Sequence, residues 1–72
     1  MFLSWSTEEK SALTDAELAN IRLVIEGRTN RAIASARGVS VRTVANQLAT
    51  AYRKLGVASR FELLAKVRRL SR

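Results

Sequence analysis

The chain has 72 residues, with 13 Lys and Arg against 6 Asp and Glu for a net charge of +7, no Cys, His or Pro, and 3 Gly. Disulfides and zinc clusters are thereby excluded, and without His, Cys or a Gly-rich phosphate loop nucleophilic and acid–base catalysis lack their usual groups, so neither an enzyme nor a cofactor is expected. The 47% of apolar residues are dispersed rather than gathered into a membrane-spanning run of about 18, and Met1-Phe2-Leu3-Ser4-Trp5 lacks the basic patch and apolar stretch of a secretory signal, so a soluble, cytoplasmic chain is expected.

The predicted fold is all-α, a small four-helix bundle containing a helix-turn-helix, with an N-terminal arm at 1–12 and the domain at 13–72. Phe2 and Trp5 in the arm read as packing on the bundle or as part of an unstructured lead. The first helix is predicted at about 15–26, where Thr14 and Glu17 have the spacing of a capping box. Leu18, Ile21, Val24 and Ile25 then recur at helical spacing before Gly27 stops the helix. Glu17 reads as a capping and salt-bridging group rather than a functional acid.

Thr29 or Asn30 can cap a second helix at about 30–37, whose Ala32, Ala34 and Ala36 permit close approach of another helix. Gly38 suits the left-handed position after its last turn, with Val39 closing the cap. Ser40 caps the third helix, about 41–55, where Val41, Val44, Leu48, Ala51, Tyr52 and Leu55 form a stripe predicted to face the core. Ala34, Gly38 and Val44, at offsets 0, 4 and 10, supply what a helix-turn-helix needs: a small residue at the helix contact, glycine in the turn and an apolar anchor beyond it.

A stop at Gly56-Val57-Ala58 and a cap at Ser59 introduce a fourth helix, about 59–70, with two apolar stripes. Phe61, Leu64 and Ala65 form one. Leu63, Val67 and Leu70 form the other, which reads either as a broad buried face or as a dimer contact.

Charge is distributed unevenly along these elements. Residues 1–27 carry two bases against five acids, net −3, whereas residues 28–72 carry eleven bases against Glu62 alone, net +10. That asymmetry suits a polyanion, nucleic acid before anionic lipid, or else a solvated basic face. The third helix favours nucleic acid: opposite its apolar stripe lie Arg42, Asn46, Ala49, Thr50 and Arg53, flanked by Thr43, Gln47, Lys54 and Ala45, with no carboxylate on the helix. Asn46, or Gln47 if the helix is rotated, can pair with adenine, Arg42 or Arg53 with guanine, and Ala45 and Ala49 can touch a thymine methyl, so a site with an A/T-rich core is expected.

These residues resemble the LuxR-type, or GerE-type, helix-turn-helix domain of bacterial transcription regulators. The likeness spans about residues 13–64 and rests on Leu13-Thr14 with Glu17, Gly27-Arg28-Thr29-Asn30-Arg31 with Ile33-Ala34, Val39-Ser40, Thr43-Val44, and Arg53-Lys54-Leu55-Gly56-Val57 with Ser59-Arg60. It implies a four-helix fold whose third helix reads DNA, and homodimers that commonly meet through the fourth helix, where the stripe of Leu63, Val67 and Leu70 supplies the candidate contacts. It also implies an output module that follows a receiver or ligand-sensing domain in a longer regulator.

Thr29, Asn30, Arg31, Thr43 and Lys54 resemble the family's phosphate-contacting set, and Ser40 and Arg60 join them as candidates. The chain departs from the family pattern at Ala45, usually Lys or Arg, at Gln47, often His, and at Ala49, often polar or basic. Implied partners are double-stranded DNA, a second copy and RNA polymerase, with no membrane. Competing readings are a sigma-factor-like promoter-recognition domain, a protein-interaction adaptor that has lost specific DNA binding, and a membrane-surface peptide.

Overall fold

Short-range side-chain chemistry sets the helix boundaries. In the computed structural model, which describes residues 12–70, four helices follow one another: α1 (Asp15–Ile25), α2 (Asn30–Arg37), α3 (Val41–Leu55) and α4 (Arg60–Leu70). The proposed arm at 1–12, with Phe2 and Trp5, lies outside the described residues apart from Ala12. At the start of α1 the backbone N–H of Glu17 donates to Thr14 Oγ1 at 3.1 Å, and the N–H of Thr14 donates to Glu17 Oε1 at 3.0 Å. The expected capping box is therefore complete, satisfying two of the amides that a helix N-terminus leaves unpaired.

Thr29, not Asn30, caps α2, its hydroxyl accepting from the N–H of Ala32. Ser40 caps α3 by accepting from the N–H of Thr43. Gly38 (φ +70°) and Gly56 (φ +73°) occupy the left-handed position that ends α2 and α3, where a side chain would be strained. Beyond each, the next amide returns to the helix, Val39 to the Ala34 carbonyl and Val57 to the Tyr52 carbonyl, as the Schellman arrangement requires.

α3 is the central rod, with α1 and α2 both packed along it. Ile21, Val24, Ile33, Val44, Ala51 and Leu63 are fully buried, and Ala34, Leu48 and Leu55 nearly so. Ala34 and Val44 thus both lie in the core on either side of the tight Gly38 turn, as the helix-turn-helix spacing predicted. Tyr52 is half-buried and packs against this core.

Three expectations about helix faces need correction. Val41 is 46% exposed; as the first residue of α3 it precedes the part of the stripe that other helices cover, so the buried stripe begins at Val44. On α1, Glu17 and Asn20 are buried beside Ile21 and Val24, while Leu18 and Ile25 are half-buried. On α4 the stripe offered as a dimer contact turns inward, Leu63 being fully buried with Val67 and Leu70 packed against the core, whereas Phe61 of the other stripe is 81% exposed.

The cause on α4 is the docking of its N-terminus. Arg60 donates from Nη1 to the Arg28 carbonyl and from Nη2 to Asn30 Oδ1, both at 2.9 Å. With α4 held there and packed against α1, Leu63 and the residues four and seven positions beyond it point inward.

Candidate nucleic-acid interface

The turn between α2 and α3 leaves the far side of α3 uncovered by any other described helix. Arg42, Ala45, Asn46, Ala49 and Arg53 are all exposed there, Thr50 is half-buried, and no carboxylate stands on the helix. Thr50 Oγ1 donates back to the Asn46 carbonyl at 3.2 Å, and Arg53 Nη2 lies 3.5 Å from Thr50 Oγ1. The side chains of Arg42 and Asn46 make no hydrogen bond to other described residues. Their donors and acceptors are available to a ligand.

Five of the seven candidate base readers therefore share one open surface. An open groove of about 480 Å³ continues from it, bordered by Ala45, Ala49, Arg53, Asn30 and Arg60. Two separate sets of candidates, readers on α3 and phosphate contacts from α2 and α4, meet along this recess.

Gln47 is placed differently. Its Oε1 accepts from Asn20 Nδ2 at 2.9 Å and from Arg37 Nη1 at 2.8 Å, and Arg37 Nη1 also donates to Asn20 Oδ1 at 2.7 Å. The carboxamide oxygen that adenine recognition would need is thus already occupied inside the protein. Asn20 and Arg37 did not figure among the sequence candidates. The available signal was Asn20 itself, a polar residue four positions before the buried Val24 and therefore on the core side of α1, where an amide must find partners.

The phosphate candidates also divide. Thr29, Arg31 and Ser40 are exposed and Thr43 is half-buried; the first backbone amides of α2, beside Thr29 and Arg31, lie at the helix end whose dipole favours an anion. Ser40 and Thr43 pair with each other, Ser40 Oγ donating to Thr43 Oγ1 at 2.9 Å. Asn30 and Arg60 are joined to one another as described above. Lys54 Nζ donates to Glu17 Oε1 at 2.8 Å, an ion pair within the fold that competes with any contact to a phosphate.

Glu17 is buried, and it remains a carboxylate because its partners favour the charged form. The Lys54 ammonium foremost, then the Thr14 amide, hold its pKa below the ordinary value, and burial opposes them only in part. Among the dimer candidates, Leu63 is withdrawn into the core, and Val67 and Leu70 keep only part of their surface. No cluster able to hold a metal ion occurs among the described residues. None of the described helices is long and apolar enough to cross a membrane.

Comparison with known proteins gives matches for most of this unit. The family of bacterial regulatory proteins designated luxR matches residues 11–67. Two mycobacterial proteins, one from Mycobacterium bovis and one from Mycobacterium tuberculosis, are each 45% identical over 58 residues, or 81% of this chain. Their names give them, provisionally, as HTH-type transcriptional regulators. The chain spans about 7% of the length of these relatives. No solved structure gives a significant match.

Proposed function

Because the chain belongs to the luxR family of bacterial regulatory proteins, we propose that it is a sequence-specific DNA-binding unit of transcription regulation that lays α3 in the major groove. The observation that carries this reading is the acid-free face of α3 that no other described helix covers, where Arg42, Asn46 and Arg53 stand exposed with the small Ala45 and Ala49 between them. The major groove presents a distinct donor and acceptor pattern for each base pair. Asn46 suits adenine, Arg42 and Arg53 suit guanine, and the two alanines leave room for thymine methyl groups. Thr29, Arg31 and the amides at the start of α2 then contact phosphates, which fixes register without reading sequence.

A unit this small makes few base contacts, so useful specificity calls for two half-sites bound by a pair of copies. On α4 a second copy would meet Phe61 and the outer edges of Val67 and Leu70, not Leu63. Residence at the nucleoid in the cytoplasm and contact with RNA polymerase belong to the same proposal. It is tested by selecting duplexes from a random pool with the purified chain and reading the bound fraction by sequencing. The expected product is an A/T-centred motif, repeated if two copies bind; a pool that remains random after selection overturns the reading.

A further inference from the structure

We infer that Gln47 acts as a positioning residue, locked by Asn20 and Arg37 into a part-buried polar peg that sets the rotation of α3 and so aims Asn46 and Arg42. The inference rests on the DNA-reading role of α3 proposed above. It starts from Asn20, which is fully buried on α1. Burying an amide carries a desolvation cost that only hydrogen bonds offset. Both ends of the Asn20 carboxamide are used, Nδ2 toward Gln47 and Oδ1 toward Arg37. Arg37 makes no ion pair among the described residues; the acceptors that hold its Nη1 are the carboxamide oxygens of Asn20 and Gln47. One residue from each of α1, α2 and α3 therefore meets at a single point.

The apolar contact between α1 and α3 cannot by itself define their rotation with the same sharpness. Hydrophobic cores tolerate small adjustments as long as volume is conserved, whereas a hydrogen bond weakens steeply with distance and angle. Side chains extend the helix to roughly 5–6 Å from its axis, so turning α3 by about 10° displaces them by about 1 Å. A productive contact needs placement within about 0.5 Å and 10–20°.

The fold supplies a second tie on the same side. Gln47 reaches Asn20 and Lys54 reaches Glu17. The α3 members are seven residues apart and the α1 members three, so each pair shares a helix face. Two fixed points roughly 10 Å apart along α3 prevent both sliding and turning. Asn46, adjacent to Gln47, and Arg42, five positions before it, receive their direction from this fixation. Arg37 and Asn20 influence readout without touching DNA.

The test compares base preference, by selection from random duplexes, for the unmodified chain and the variants Asn20→Ala, Arg37→Leu, Gln47→Ala and Asn20→Ala/Gln47→Ala. Circular dichroism identifies the variants that are folded at the assay temperature. Arg37 is only half-buried, so Arg37→Leu keeps the question answerable if the Asn20 variant does not fold. The expected result is that each folded single variant loses about fivefold or more in preference at several base pairs at once, and that the double variant loses no more than either single one. Loss at one base pair in Gln47→Ala, with the unmodified pattern retained in Asn20→Ala or Arg37→Leu, would make Gln47 a reader and overturn the inference alone. Absence of any preference in the unmodified chain overturns the DNA-reading role and this inference with it.

Discussion

Lys54 Nζ lies 2.8 Å from Glu17 Oε1, joining residues 37 positions apart in sequence, with the carboxylate side chain 8% exposed and the lysine 32%. The same carboxylate oxygen accepts from the Thr14 amide. A helix cap and a bridge between α1 and α3 are thus one structure, and a base that family resemblance places beside a phosphate is committed to the fold.

Replacing Lys54 with alanine is therefore expected to act first on stability. It leaves a buried carboxylate short of its charged partner, an effect of roughly 1–3 kcal/mol. Urea denaturation should show that loss, while the slope of log K against log salt for DNA binding should change by well under the roughly 0.9 expected for one phosphate contact. Unaltered stability together with a full unit change in slope would return Lys54 to the phosphate set.

Acid should weaken the same arrangement, and the direction follows from the depressed pKa of Glu17. Because its folded-state pKa lies below the ordinary value near 4.5, the group contributes stability that is present above that value and is lost as pH falls through the folded pKa. The difference in melting temperature between the natural chain and Glu17→Gln should consequently be largest near neutrality and shrink on acidification below about pH 4.5. A difference that is constant from pH 7 to pH 3 would contradict the linkage.

What could be read from the sequence was what depends on near neighbours. Thr14 with Glu17, Thr29, Ser40, Gly38 and Gly56 act within a few residues of themselves, and each cap formed. The exposed face of α3 was legible for a related reason: helical spacing puts Arg42, Asn46 and Arg53 opposite Val44, Leu48 and Ala51. Gln47 was not, since its role depends on partners 10 and 27 positions away. The inward face of α4 was hidden too. Either apolar stripe satisfies the spacing, and the choice is made by Arg60 reaching back to Arg28 and Asn30.

Asn46 offers the sharpest test of readout, because its carboxamide has no partner among the described residues. Asn46→Ala should flatten preference at one base pair by roughly 1–3 kcal/mol, with affinity for random duplex and thermal stability nearly unchanged. Competition binding with duplexes altered one pair at a time measures this directly. Equal losses on every duplex would place Asn46 among the nonspecific contacts.

The unequal burial of Leu63 and Phe61 on α4 makes a prediction about two neighbouring residues of similar apolarity. Leu63 has no exposed surface, so Leu63→Ala removes packed volume from the centre of the bundle and should cost about 2–5 kcal/mol. Phe61 is 81% exposed, so Phe61→Ala should change the stability of the isolated chain by less than about 0.5 kcal/mol. If α4 also supports pairing on DNA, the Phe61 variant should lose cooperative occupancy of a two-half-site duplex while keeping its affinity for one half-site, a separation that Leu63→Ala cannot provide because it loosens the fold. Chemical denaturation and paired half-site titrations measure the two effects independently. Near-equal destabilisation by the two substitutions would mean that Phe61 is covered in solution and that the assignment of the α4 faces is wrong.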